Sequence, residues 1–210
     1  ARMARTKSVG SVYYIRQTAS TEGYLFEDDF DRKKFIEILA KAKSKFDYKL
    51  FSFCLKNCSY EFIIYDNGSD ISKIMKSINI SYAMYKKKDT PLFKDRYKSS
   101  ILTSTEELLE ISKNLHCSKV DGIWTSKCSY SELDNRFEDL IDSDLLYGII
   151  SEDITTAKES YNLFIEDNID YNELKCEKNS IDLKSGTCIK TKDKAYEKLA
   201  VFAKTNNITV

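Results

Sequence analysis

The β-branched and aromatic positions concentrated in 11–17 (SVYYIRQ) predict a strand. Over 26–46 a period appears. Phe30, Phe35, Ile38, Leu39, Ala42 and Phe46 recur at helical spacing, and acids fill the first turn, where the helix dipole favours them. Residues 48–55 (YKLFSFCL) alternate, and 59–65 (SYEFIIY) follow across a short Asn/Cys connection, which predicts a hairpin. After Asn67-Gly68 a second helix is expected, with Ile71, Ile74, Ile78, Ala83 and Met84 on its apolar side. YKSSILT (97–103) predicts another strand, and a third helix starts near Thr105-Glu106. The order β-α-β-β-α-β-α predicts an α+β fold with a ferredoxin-like split βαβ core and an antiparallel sheet. The competing parallel α/β sheet needs longer crossovers than the hairpin allows.

Beyond this core the pattern weakens. Residues 119–136, which include Trp124, read as irregular, and 138–167 read as two short helices. The polar tail from 171 holds a possible last helix at 193–204. The expected organisation is a core domain over 3–120 and an acidic, mostly helical extension over 121–210. No internal repeat is visible.

Composition narrows the classes. The 210 residues are 42% hydrophobic and 12% aromatic, enough to fill a core and exclude a wholly disordered chain. No apolar run approaches the length that spans a membrane. A signal-like apolar block is absent, and Met3 reads as the natural start, so a cytoplasmic protein is expected. The six cysteines form no C-x-x-C pair and read as reduced thiols; with His116 as the single histidine, neither a structural metal nor a cofactor is expected. The zero net charge is divided unevenly. Residues 1–100 carry 20 Lys/Arg against 12 Asp/Glu, and residues 101–210 carry 13 against 21. A basic first half points to a polyanion-facing surface, while the acidic 121–170 stretch is a possible face for a protein partner.

Several separated blocks carry a resemblance. MARTKS, YLFEDDFDRKKFIEIL, FSFCLKN…EFII, DISKIMKSINISYAMYKKK and LFKDRYKSS, in that order, resemble the REP-associated tyrosine transposase-like family over about residues 3–150. These are single-tyrosine, HUH-type transposases of single-stranded DNA. The resemblance implies a ferredoxin-like core, a His-x-His pair that binds a divalent ion, and a tyrosine on the following helix that attacks the phosphate. The family hairpin reads C-L-M-x-N-H-x-H-L-L-I; here C-L-K-N-C-S-Y-E-F-I-I puts Ser59 and Glu61 at the two histidine positions. The family helix reads R-Y-I-H-x-N-P-V, and the matching stretch places Asn114 at the tyrosine, with His116 fixing the register. An amide cannot attack as a phenolate does. Glu61 alone, with no histidine partners, is a weak Mg²⁺ ligand and is expected to stand as an uncompensated negative charge repelling phosphate.

The resemblance therefore implies a transposase-like DNA-binding protein that has lost its catalytic residues and serves another role, such as hairpin or sequence-specific binding in regulation. The alternatives are a nuclease using Glu61 and another tyrosine, or a protein-interaction module. Candidate DNA contacts are Arg5, Lys7 and Arg16, then Lys86, Lys87 and Lys88, and finally Lys94, Arg96, Tyr97 and Lys98. Cations bind phosphates, and an interleaved aromatic can stack on an unpaired base. Where the family has an R-G-x-N-R-like stretch after the first strand, Arg16-Gln17-Thr18-Ala19-Ser20-Thr21-Glu22 keeps little of its charge.

Overall fold

The β-branched and aromatic run near the start forms β1 (Val12–Thr18), in a computed structural model that describes residues 10–20, 23–117, 123–130, 137, 139–166 and 174. Helix α1 (Asp29–Phe46) begins where the Asp28 side chain accepts a hydrogen bond from the Asp31 backbone N–H, three residues later than the apolar period alone suggests. The hairpin is β2 (Lys49–Lys56) and β3 (Ser59–Tyr65). Helix α2 (Ile71–Lys86) is capped by Asp70, which accepts from the Ser72 N–H. Strand β4 (Lys98–Ile101) and helix α3 (Thr105–His116), capped by Ser104, complete the core. Then come β5 (Trp124–Thr125), a 3-10 turn (Ser126–Tyr130), α4 (Ser143–Ile150) and α5 (Ile154–Ile165).

The strand order is β4-β1-β3-β2-β5, antiparallel throughout. Its first four strands are the split βαβ arrangement, and a parallel sheet is excluded. Register and alternation divide the side chains between two faces. Tyr13, Ile15, Tyr60 and Phe62 meet α1 and α2: the Phe35 ring lies 4.7 Å from Tyr60 and 5.0 Å from Tyr82. Tyr14, Arg16, Glu61, Ser52 and Cys54 point to the other face. Helix α3 covers part of it, bringing Ser112 Oγ to 2.5 Å from Ser52 Oγ.

Two apolar positions depart from expectation. Phe30 and Met84 are exposed, and α2 instead buries Met75 and Tyr82. Trp124 also departs, because the stretch read as irregular pairs with Leu55 on the edge of β2. A two-residue strand carries almost no period of its own and forms because β2 offers an unpaired edge.

The helical part after 120 is built onto the core. The Asp142 carboxylate accepts the Leu50 N–H at 2.8 Å and Lys43 Nζ at 2.8 Å, and the Asp142 N–H donates to Leu50 O at 2.8 Å. Leu146, Ile150, Tyr161 and Phe164 join the same buried cluster as β1–β3. No helix among the described residues is long and apolar enough to cross a membrane. Arg5, Lys7 and the helix expected at 193–204 lie outside the described residues.

Candidate nucleic-acid interface

A period of two places Ser59 and Glu61 on one face of β3, and the register sets Cys54, Glu61, Arg16 and Lys98 in a row across four strands. Glu61 is only 7% exposed, yet it is not uncompensated. Its Oε2 accepts from the Tyr14 hydroxyl, its Oε1 accepts from Lys56 Nζ at 3.1 Å, and Arg16 Nε lies 3.9 Å away. This corrects the expectation of a lone repelling carboxylate. Burial, reinforced by the hydrogen bond to Glu61, pushes the Tyr14 phenol well above its ordinary pKa, so it stays protonated and donates.

The same arrangement decides the metal question. A metal-binding Glu61 would need an open carboxylate and further ligands, but its oxygens are engaged by a phenol and an ammonium, and Ser59 is a poor ligand. Among the described residues no group of three or more His, Cys, Asp and Glu side chains could hold a metal ion. The residues do not fit the divalent ion that the resemblance implies.

Around this row the structure sorts the predicted cations. Arg16 is 54% exposed along its side chain, and its partner in register, Lys98, is exposed on the edge strand. The segment before β4 continues along the end of β1. Lys94 N–H donates to Thr18 O at 3.2 Å, Ser20 N–H to Leu92 O at 3.0 Å, and Gln17 Nε2 to Asp95 O at 2.9 Å. These bonds bring the segment carrying the exposed Lys94 and Arg96 alongside the end of β1, next to Arg16 and the edge-strand Lys98. Lys56, 38% exposed, adds a cation that sequence reasoning missed. Its clue is the hairpin register, which sets it opposite Ser59.

Other candidates are placed elsewhere. Lys86 is buried in a pair with Asp31 at 2.6 Å and reaches Glu27 at 3.5 Å, so it ties α2 to the start of α1 and offers no charge to a phosphate. Lys88 bonds Glu27 at 2.7 Å, and these two lysines hold the Glu27 carboxyl below its usual range. Lys87 stands exposed at the left-handed residue that ends α2, φ 45°. Tyr97 is 7% exposed with its hydroxyl 3.5 Å from Ser72 Oγ; it packs inward and presents no ring for base stacking.

Asn114, which the resemblance sets at the tyrosine, is exposed near the end of α3. His116, one turn fragment further on, is buried. Its Nε2 lies 2.7 Å from Ser126 Oγ and its Nδ1 3.0 Å from the Tyr161 hydroxyl. Burial pushes its pKa down to about 3, with Lys127 adding to the effect, so it is neutral at physiological pH and serves the core.

No family model matches the chain, and no curated protein matches it. Among solved structures, a REP-associated tyrosine transposase bound to a REP hairpin is similar, with a TM-score of 0.50 and 9% identity, over 55% of this chain and 70% of that one. At that identity the likeness is one of fold.

Proposed function

We propose that this chain is a transposase-like DNA-binding protein that grips a hairpin or other DNA through the edge formed by β4 and the end of β1, and does not cut it. The observation that carries this reading is the gathering of exposed Arg16, Lys94, Arg96 and Lys98 at the end of β1 and the adjoining edge strand β4. The fold likeness to a transposase holding a DNA hairpin supports the choice of ligand. Several cations spaced along an edge suit a phosphate backbone, since each neutralised phosphate releases counterions. Lys87, Lys88, Arg5 and Lys7 are proposed as outlying contacts.

Loss of cleavage follows from the chemistry of the substituted positions. Strand transfer by a tyrosine needs a nucleophile and a polarised phosphate. Asn114 supplies no nucleophile, and Glu61 is engaged by Tyr14 and Lys56. A binding role without chemistry, such as regulation at a hairpin, is the use that remains for such a surface.

The test is binding to hairpin, single-stranded and duplex DNA by fluorescence anisotropy. Lys94, Arg96 and Lys98 changed together to Ala should lower affinity about 100-fold at ~0.1 M salt and reduce the salt slope by about 2. Absence of binding to all three DNAs at low salt rejects the reading. A covalent DNA–protein adduct formed with Mg²⁺ or Mn²⁺ rejects the loss of cleavage.

A further inference from the structure

Glu61 is an anion held between cations that water still reaches. Lys56 Nζ bonds its Oε1 at 3.1 Å and Arg16 Nε lies 3.9 Å off, while 38% and 54% of those two side chains remain exposed. To an ammonium or guanidinium, a carboxylate and a phosphodiester offer the same thing: anionic oxygens that accept charge-assisted hydrogen bonds. In the row across the sheet Lys98 follows Arg16 in register. Strands lie about 4.8 Å apart, so β2 to β4 spans roughly 14 Å of backbone. The Tyr14 hydroxyl donates to the other oxygen of Glu61 and so anchors the carboxylate.

We propose that Lys56, Arg16 and Lys98 form a phosphodiester site that needs no divalent ion, in which Glu61 occupies Lys56 and Arg16 until a phosphate displaces it. This rests on the DNA-binding reading and deepens it. Glu61 acts as a built-in competitor: it keeps Lys56 and Arg16 in place in the free protein and weakens capture of the ligand. The consequence opposes that expected for a metal ligand or a catalytic carboxylate, because removing its charge improves binding. Glutamine suits the test, since its carbonyl oxygen still accepts from Tyr14.

The experiment uses two probes on the full chain, inorganic pyrophosphate followed by phosphorus NMR line broadening and hairpin DNA followed by anisotropy, each with and without EDTA. Glu61→Gln should tighten DNA binding about fourfold at ~0.15 M salt and steepen the salt slope by about 0.7–0.9, the increment of one phosphate contact in the loop or the stem of the hairpin. Pyrophosphate should tighten in the same direction. Lys56→Met should weaken both probes, and in the Glu61→Gln background it should remove most of the gain. EDTA should change nothing. If DNA binds but Glu61→Gln moves neither probe, or EDTA abolishes binding, the displacement proposal falls and the DNA reading stands. If pyrophosphate tightens while no DNA is held by any form, the anion site stands and the DNA reading falls. If no form holds either probe, both fall.

Discussion

Ser52 and Cys54 are alternate residues of one strand and point to the same face, yet the polar groups beside them live in different media. Next to Ser52 the groups are sealed under α3 and α5. Ser52 and Ser112 are 2.5 Å apart, Ser112 and Tyr161 2.6 Å, Tyr161 and His116 3.0 Å, and His116 and Ser126 2.7 Å. The Tyr130 hydroxyl adds a bond to Phe51 O at 2.5 Å. Beside Cys54, Glu61 meets Tyr14, Lys56 and Arg16 with the cation ends in water. Hydrogen bonding is dense in both. A buried donor or acceptor that loses its partner keeps its full desolvation cost, whereas one near the surface is resolvated. The sealed cluster should therefore govern stability and the open one binding.

That separation can be broken most severely at Tyr161. Its ring is buried and its hydroxyl joins Ser112 to His116, so Tyr161→Ala should cost about 3–5 kcal/mol in urea unfolding by creating a cavity and stranding two partners. A cost below ~1 kcal/mol would mean that the cluster is not sealed. DNA affinity of the folded fraction should be unchanged.

Acid comes next. His116 is held neutral with a pKa of about 3, against an ordinary value of 6.5 in the unfolded chain. The unfolded state binds the proton first, so this stabilisation is complete above pH 6.5 and is lost as pH falls towards 3. At pH 4.5 the loss should be about 2–3 kcal/mol relative to pH 7. Urea titrations of the wild type and His116→Gln at both pH values isolate it, because the variant should lack this part of the pH dependence.

Smaller again is Ser126→Ala. Ser126 Oγ accepts the Phe53 N–H at 2.9 Å as well as bonding His116, so about 1–3 kcal/mol is expected, read from the denaturation midpoint. Smallest is Tyr14→Phe in the open cluster. Lys56 still bonds Glu61 Oε1 and the Arg16 guanidinium stays beside it, so the carboxylate keeps its charge partners and the stability change should stay under ~1 kcal/mol. A larger loss there would erase the distinction between the two clusters.

The element order and the split βαβ core were legible from apolar periods, because each of those elements is long enough to display one. Caps and edges were not: α1 starts where Asp28 caps it, and β5 exists only against β2. Periodicity also misled at Phe30 and Met84, since spacing assigns a side to a helix but not the extent of its cover. In the candidate site, Ser59 and Glu61 sharing a face followed from alternation. The partners of Glu61 did not, because Tyr14 and Arg16 are brought in by a strand pairing that spans more than forty residues. Charge in the sequence likewise could not distinguish Lys86, spent on Asp31, from Lys98, exposed on an edge.

The position of β1 has a consequence for how the chain is made. It lies in the sheet's interior, between β3 and β4, yet it precedes the other described strands of that sheet in the chain. Once Tyr65 has emerged, β3 can close one side of β1. The other side waits for Lys98–Ile101, and Tyr13 meets Ile101 only then. Such distant pairings are slow to form. During that interval the backbone of Tyr13–Arg16 is an open edge, and unpaired edges recruit strands from other chains. A nascent chain halted between β3 and β4 would thus carry its aggregation hazard on a strand that the finished protein pairs on both sides.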